Sequence, residues 1–227
     1  MKKMALFLCF LLAVSHAWAG GPYFCSKPGC SLYYERYEEG TGKFLRTTLL
    51  DFVSVRREGN GKVVEYGMTL GRPNGRELYG GRAAMTTVIA GNGDVWMDLG
   101  ASVRMILQNL FPRAEIVSTG TPAILPAGMS PGDTLPEARC VVTVAGFAYS
   151  VVQKHRKVLR TERIETPAGV FDCVVEQAYK EEEGPMYARN TWAVTWYAEG
   201  IGYVRHDTYD RKMNLLSSEV LVRIDTH

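Results

Sequence analysis

The sequence predicts an all-β protein, mainly antiparallel, whose sheet curls into a roll or an incompletely closed β-barrel with one short helix. From Ser31 onward, short runs rich in Val, Ile, Thr, Tyr and Trp alternate between apolar and polar residues, which is the period of a half-buried strand. Turn signals such as Gly59-Asn60-Gly61 and Pro73-Asn74-Gly75 separate the runs. Barrels and sandwiches commonly reach about 200–250 residues as one unit, so we expect residues 20–227 to form a single antiparallel β domain.

Nine strands can be placed from this alternation. The turns between them are short, and strands joined by short turns pair as sequential hairpins. The predicted strands are Phe44 to Arg57, Val63 to Leu70, Met85 to Ala90, Val141 to Val152, Lys157 to Glu165, Val170 to Tyr179, Tyr187 to Tyr197, Tyr203 to Tyr209 and Leu215 to Ile224.

One segment departs from the period of two and predicts a helix. Its apolar residues recur every three or four positions, at Leu99, Val103, Ile106, Leu107 and Leu110. Asp98 is available as the N-cap, and Phe111-Pro112 ends the pattern. We expect an amphipathic helix that closes the open side of the sheet; the alternative is a mobile lid over a ligand cavity.

The N-terminus has the organisation of a signal peptide. Lys2 and Lys3 precede an apolar stretch from Met4 to Val14, and Ala17-Trp18-Ala19 is a small-x-small cleavage signal. The apolar stretch is shorter than the roughly 20 residues that span a bilayer. Residues 1–19 are therefore predicted to be removed, which leaves a periplasmic or secreted chain without a transmembrane segment.

Removing this segment makes the chain formally neutral. The full sequence has 26 Lys and Arg against 24 Asp and Glu, and Lys2 and Lys3 leave with the signal peptide. Because nucleic-acid binding depends on clustered positive charge, we do not expect a nucleic-acid partner.

Four cysteines remain after cleavage, and an oxidising compartment favours two disulfides with three possible connectivities. A Pro-Gly bend between Cys25 and Cys30 favours their pairing, which leaves Cys140 with Cys173. A zinc site is the alternative, but the paired C-x-x-C spacing of such sites is absent from the sequence. We therefore predict the disulfides Cys25–Cys30 and Cys140–Cys173, with no metal.

The chain lacks the common catalytic signatures, including G-x-S-x-G, H-E-x-x-H, the P-loop and G-x-G-x-x-G after a strand. We therefore predict no enzyme, no catalytic residue and no cofactor. A hydrolase is the remote alternative, because His206 and Asp207, with Tyr209 and Asp210 nearby, could supply a base and its orienting group. A solvated strand face explains the same residues.

The aromatic residues suggest a binding surface. Trp192, Val194 and Trp196 share one face of a strand by the period of two, and Ala193 and Tyr197 share the other. The two tryptophans could fill the core, or they could line an apolar groove for a lipid tail, a peptide or a partner strand. Residues of the helix would complete that groove, so its candidate lining is Trp192, Trp196, Leu99, Val103 and Leu107.

Three ordered motifs carry a resemblance to a known family. ETPAGVFDC at Glu165 to Cys173, WYAEGIGYV at Trp196 to Val204 and SPGDTLP at Ser130 to Pro136 resemble the exported TapB-like family, which commonly reads TPAGTFDC, WYAPGVGLV and VGDTLP there. Glu199 stands where proline is usual, and the Cys25 to Cys30 loop is extra. The resemblance implies a secreted β protein of unknown function with no catalytic residues to transfer.

More distantly, the W-Y-x-x-G-x-G hairpin is similar to one in the lipoprotein carriers LolA and LolB, whose curved sheets hold acyl chains around a helical lid. We therefore expect a non-enzymatic envelope protein that binds a lipid-like apolar ligand or an envelope protein. The alternative is an interaction module that docks another protein through a sheet edge. The Pro-Ala-Gly corner itself, at Pro167 to Gly169, is interpreted as architectural, since it turns one strand into the next.

Overall fold

The computed structural model describes residues 20–227, so the predicted signal peptide lies outside the described residues. These residues form thirteen strands and one helix, in agreement with the predicted all-β class. The strands are β1 (Cys30–Glu38), β2 (Phe44–Glu58), β3 (Gly61–Gly71), β4 (Ala83–Ile89), β5 (Val95–Met97), β6 (Ile116–Thr121), β7 (Ala123–Leu125), β8 (Ala138–Val144), β9 (Phe147–Thr166), β10 (Gly169–Gly184), β11 (Tyr187–Ala198), β12 (Gly202–Tyr209) and β13 (Leu215–Thr226); the helix, α1, is Ala101–Leu110.

All thirteen strands belong to one antiparallel sheet that curls into a nearly closed barrel. The strand order is β6-β8-β9-β10-β11-β12-β13-β1-β2-β3-β4-β5-β7. Most neighbouring strands are consecutive in the chain, as short turns require. The first strand, β1, pairs with β2 on one side and with the last strand, β13, on the other, so the N-terminal and C-terminal strands are neighbours in the sheet.

The barrel has one seam, and a single extended segment crosses it. The two end strands of the sheet, β6 and β7, are separated in sequence only by Pro122. β6 pairs with β8 on one side, whereas β7 pairs with β5 on the other. Proline has no N–H to donate to a ladder, so Pro122 marks the point where the chain leaves one edge and joins the other.

The helix lies at this seam. Leu107 is buried against Cys140, Val142 and Val144 of β8, and another side of α1 shares a cavity with residues 82–85 at the start of β4. The predicted N-cap is wrong. The helix begins two residues later than predicted, and Asp98 accepts a hydrogen bond from the backbone N–H of Gly100 (2.8 Å) without capping the helix.

The predicted strand from Val141 to Val152 is wrong, because it contains a hairpin turn at Ala145 and Gly146. Both turn residues have positive φ (48° and 81°), which suits a two-residue hairpin. Alanine rarely adopts this conformation, so the residue type at position 145 does not predict the turn. The strand that follows, β9, runs for 20 residues and includes the separately predicted strand from Lys157 to Glu165.

The register also overturns the predicted disulfide between Cys140 and Cys173. Both cysteines belong to strands that pair with β9, where Cys140 lies opposite Val151 and Cys173 lies opposite Glu162. Eleven residues of strand span more than about 30 Å, well beyond the reach of a disulfide. Cys25 and Cys30, by contrast, share the main core cluster, and all four cysteines are thiols in the structure.

Two charged networks are buried in the fold. Arg156 Nε donates to Glu176 Oε1 (2.7 Å), with side chains only 1% and 5% exposed. Glu219 accepts from Thr48 (2.7 Å) and lies near Arg36 and Arg46. Burying such charges is tolerated because each is paired and hydrogen-bonded.

Among the described residues, the one helix has ten residues and is too short and too polar to cross a membrane.

Candidate functional site

Two of the sequence motifs, ETPAGVFDC and WYAEGIGYV, line one cleft at the end of the barrel where the β9–β10 and β11–β12 turns lie, and Met129, which directly precedes the SPGDTLP motif, lines it as well. This motif cleft has a volume of about 770 Å³, and eight of its fifteen lining residues are apolar or aromatic. It is lined by Gly20, Tyr23, Gly128, Met129, Thr161, Glu162, Arg163, Val170, Phe171, Asp172, Cys173, Val174, Ala198, Glu199 and Ile201.

The start of β10, directly after the Pro-Ala-Gly corner, forms one wall of the cleft through residues 170–174. β9 ends at Thr166 and β10 begins at Gly169, so the predicted turn is confirmed. Thr166 Oγ1 accepts from the backbone N–H of Ala168 (3.2 Å), and Gly169 has a φ of +136°, which other residues rarely adopt. Strand alternation then places Phe171 and Cys173 on the same face of β10.

The turn between β11 and β12 forms the second wall and holds the start of the described chain. Gly200 N donates to the carbonyl oxygen of Pro22 (2.8 Å). Tyr23, the next residue, is only 4% exposed. Burial, together with the negative charge of Glu199, raises the pKa of the Tyr23 hydroxyl to about 12, so this tyrosine stays neutral at physiological pH.

The loop over residues 126–137 forms the third wall. It runs beside β9 as a short irregular continuation of the sheet, since Gly132 N donates to Val158 O (2.9 Å) and Val158 N donates to Asp133 O (2.8 Å). Met129 and Leu135, at 4% and 5% exposed, anchor the loop in the main core cluster. The SPGDTLP motif therefore positions Met129 against the cleft.

Glu162 connects the cleft to Trp196. Trp196 Nε1 donates to Glu162 Oε2 (2.9 Å), and Arg160 Nη2 donates to the same oxygen (2.7 Å). These hydrogen bonds hold the pKa of the Glu162 carboxyl below its usual value. The indole also lies near two guanidinium groups, with the Cζ atoms of Arg160 and Arg205 at 5.9 and 5.0 Å from its ring centroid.

The charges at the cleft are mostly negative. Glu162, Asp172 and Glu199 contribute carboxylates, and Arg163 is the single cationic side chain of the lining. Burial, followed by the charges of Asp172 and Glu162, raises the pKa of the Cys173 thiol to about 12. The arrangement therefore has an apolar lining, a neutral thiol and a rim on which Arg160 and Arg163 lie against two of the three carboxylates.

The structure does not bring the two predicted halves of the groove together. Trp192 and Trp196 lie on the face of β11 opposite to Tyr197. The helix packs through Leu99, Val103 and Leu107 on the face of β8 that carries Cys140. Cys140 lies opposite Val151 of β9, and Val151 lies opposite Glu182 of β10, so this face of the sheet is the one that carries Tyr197 in β11. Trp196 lies beside the motif cleft through Glu162, whereas Trp192 lies further along the strand, next to Tyr179 and His155.

The structure separates His206 from Asp207, as strand alternation requires. His206 Nδ1 is 2.9 Å from Thr195 Oγ1, whereas Asp207 pairs with Arg205 (2.8 Å) on the opposite face of β12. Burial lowers the pKa of His206 to about 4. The predicted pairing of a base with its orienting carboxylate is not formed.

Sequence reasoning missed Tyr23, Met129, Phe171 and Ile201 as lining residues of one site. They come from four segments far apart in the chain, and no local pattern links them. The available signal was the set of three motifs: each has turn-forming residues beside apolar ones, and none carries catalytic groups.

Solved structures with the same fold are known. A protein from Bacteroides fragilis, provisionally described as exported and as having a YmcC-like fold, is 23% identical, with a TM-score of 0.74 over 91% of this chain and 100% of its own. A protein from Parabacteroides distasonis, provisionally described as a lipoprotein, is 19% identical, with a TM-score of 0.74 over 91% of this chain and 99% of its own. At such identities the likeness shows the fold alone.

A sequence search among curated proteins gives no match. The family model described as DUF3108-like matches residues 27–221, which include all three motifs and nearly the whole barrel. On this match, the chain belongs to the DUF3108-like family.

Proposed function

We propose that this chain is an exported, non-enzymatic binding protein of the cell envelope that holds an apolar ligand in the motif cleft. The observation that carries the proposal is the cleft itself, which is about 770 Å³ in volume and mainly apolar. Pockets that bind small molecules commonly have volumes of about 300–1,000 Å³, apolar walls and a few polar groups.

Two observations support export. The N-terminal sequence has the three regions of a signal peptide, and the two structural neighbours are described as an exported protein and a lipoprotein. The TapB-like resemblance implies the same destination, a periplasmic or secreted location.

The charges of the rim are largely compensated. Arg160 Nη2 lies 2.7 Å from Glu162 Oε2, Arg163 Nε lies 4.0 Å from Asp172 Oδ1, and Glu199 lies beside the N-terminal segment. An anionic and a cationic head therefore meet similar electrostatic surroundings. We propose that the apolar lining selects a lipid-like ligand by its chain rather than by the charge of its head.

The test uses N-phenyl-1-naphthylamine, a neutral apolar probe whose fluorescence rises in apolar surroundings. Saturable binding is expected, and Phe171→Ser should weaken it at least fivefold. Phe147→Ser is the matched control, because Phe147 is half-exposed at the opposite end of β9. An absence of saturable binding, or equal weakening in both variants, would contradict the proposal.

Competition then tests whether the chain or the head selects the ligand. Dodecyltrimethylammonium and dodecanoate should displace the probe at similar concentrations, because the carboxylates of the rim lie beside cationic groups. Probe binding should also shift the emission of Trp196, which is hydrogen-bonded to the rim residue Glu162. Trp196→Phe should remove that shift and Trp192→Phe should leave it.

The alternative function is a protein-interaction module, and the seam offers its docking edge. β6 ends the strand order, and five of its six residues are exposed. An unpaired edge of this kind can accept a partner strand. Native mass spectrometry of the protein from its producing cell separates the two functions, since a retained lipid-sized mass supports the carrier and a bound polypeptide supports the module.

A further inference from the structure

The first described residues lie against Glu199 at the rim of the motif cleft. A Cβ atom added at Gly20 would lie 2.8 Å from Glu199 Oε1, and one added at Gly21 would lie 3.2 Å from Glu199 Oε2. The carboxylate therefore lies beside both Cα atoms. Among residues 20–227, the Glu199 side chain forms no hydrogen bond and no salt bridge, and the cationic side chain that shares its cleft, Arg163, lies against Asp172.

Independent contacts fix this segment in place. The same added Cβ at Gly20 would lie 2.8 Å from the backbone of Gly128, so the chain passes too closely for a side chain. Pro22 is held by the hydrogen bond from Gly200, and Tyr23 is buried. Gly20 is thus a fixed point of the cleft wall.

Gly20 is also the residue that follows the predicted cleavage signal Ala17-Trp18-Ala19. We propose that removal of the signal peptide creates the missing partner of Glu199: the new α-ammonium group of Gly20 forms an ion pair with the Glu199 carboxylate. Processing then completes the rim of the cleft. The inference rests on the position of Gly20 and on the proposed export of the chain, and it needs no ligand in the cleft.

The chemistry of the step is hydrolysis by a signal peptidase. One water cleaves the Ala19–Gly20 peptide bond, the departing segment keeps the new carboxylate, and the Gly20 amine takes up a proton near neutral pH. The precursor has an uncharged amide at this nitrogen, so only the processed chain can form the ion pair. A free α-amino group ordinarily titrates near 7.7–8.0, and a neighbouring carboxylate raises that value.

The test begins with N-terminal sequencing of the exported protein, which should start at Gly20. The amine is then labelled by ¹³C-methylation and titrated by NMR in the wild type, in Glu199→Gln and in the control Glu115→Gln, which alters an exposed glutamate elsewhere. The amine should titrate at higher pH in the wild type and the control than in Glu199→Gln. Each pH unit of difference corresponds to about a tenfold change in the fraction of free amine.

A second variant covers the case in which Glu199→Gln disturbs the turn. One glycine inserted between Gly21 and Pro22 leaves the cleavage signal and Glu199 intact but moves the amine along the chain, so its titration should resemble that of Glu199→Gln. A different N-terminus, or the same titration in the wild type and both altered chains, would overturn the inference. Either result leaves the probe-binding test of the cleft unaffected.

Discussion

At the scale of single residues, Arg156 and Glu176 form an ion pair that is almost completely buried, so each charge depends on the other for its stability. Arg156 Nη1 also donates to the carbonyl oxygen of Pro136 (3.1 Å), so the guanidinium ties the end of the loop over residues 126–137 to β9 and β10. The pair thus helps to position the loop over residues 126–137, which forms one wall of the motif cleft.

Arg156→Met should destabilise the protein by about 3–5 kcal/mol, because it leaves the Glu176 carboxylate buried without its partner. Arg56→Met is the control, since the Arg56–Glu58 pair is exposed and such pairs contribute less than about 1 kcal/mol. Urea denaturation of both variants measures the difference. Similar losses in the two variants would show that burial does not set the contribution of the Arg156 pair.

His206 should make the protein less stable in mild acid. Its folded pKa of about 4 results from burial and the positive charges of Arg36 and Lys180, against Glu219 and Asp207. The unfolded chain takes up a proton near pH 6.5, so the free energy of unfolding falls as the pH decreases from 6.5 to 4, by up to about 3 kcal/mol.

His206→Asn should flatten this decline in urea denaturation measured across that pH range. His155→Asn is the control, because His155 is exposed and asparagine tolerates its positive φ of 51°. An unchanged slope in His206→Asn would assign the acid sensitivity to other groups.

The cysteines give a prediction that differs from the one made on sequence. In the reduced protein, Cys25 and Cys30 are both buried in the main core cluster, and burial together with the neighbouring Cys25 raises the pKa of Cys30 to about 12. Peptide mapping without reduction should recover Cys25–Cys30 as a disulfide after export, with Cys140 and Cys173 as unmodified thiols. A Cys140–Cys173 peptide would contradict the register of β8, β9 and β10.

At the scale of elements, α1 is a structural cover of the seam. Leu107 is 2% exposed and packs on Cys140, Val142 and Val144, whereas Leu110, one turn later, is 63% exposed. A helix anchored in this way contributes to the core, and its apolar stripe is explained without a lid movement.

Leu107→Ala should therefore cost about 2–5 kcal/mol of unfolding free energy, from lost burial and the cavity left behind. Leu110→Ala has the same change in side chain at an exposed site and should cost less than about 1 kcal/mol. Circular dichroism during urea denaturation gives both values. Equally small losses of unfolding free energy in the two variants would favour the alternative that the helix is a mobile lid.

At the scale of the whole molecule, the sequence predicted that the chain forms an antiparallel sheet but did not predict how the sheet closes. Alternation and Gly-rich turns predicted the strands Phe44 to Arg57, Tyr187 to Tyr197 and Tyr203 to Tyr209 closely, because their signals are local. The turn at Ala145 has no such signal. The seam depends on Pro122 dividing one segment between two edges, which only the complete strand order reveals.

The same reasoning applies to the candidate site. The motifs were recognisable, but their convergence depends on two turns at one end of the barrel and on a loop fixed by Arg156. Grouping Trp192 with α1 failed because the two lie on opposite faces of the sheet, and hydrophobic periodicity does not say which face a distant element covers.

The short strand pairings beside the seam predict where the barrel opens first. β5 pairs with β4 only at Val88 and Ile89, and its pairing with β7 covers only Ala123–Leu125. β10 and β11 instead pair without interruption along Cys173–Gly184. Local opening follows the weakest cooperative unit, so the seam should open first even though its side chains are buried.

Native-state hydrogen exchange measures this directly. Amides of β5 and β7 should exchange at least about tenfold faster than those at the centre of β10, because the seam can open without breaking the long ladders. Adding N-phenyl-1-naphthylamine should slow exchange near the motif cleft and leave the seam unchanged, since the two lie on different strands. Equal protection of the amides of β5, β7 and β10 would contradict this prediction, because it would mean that the barrel opens only as one cooperative unit and that the pairing on either side of Pro122 is as stable as the long hairpins.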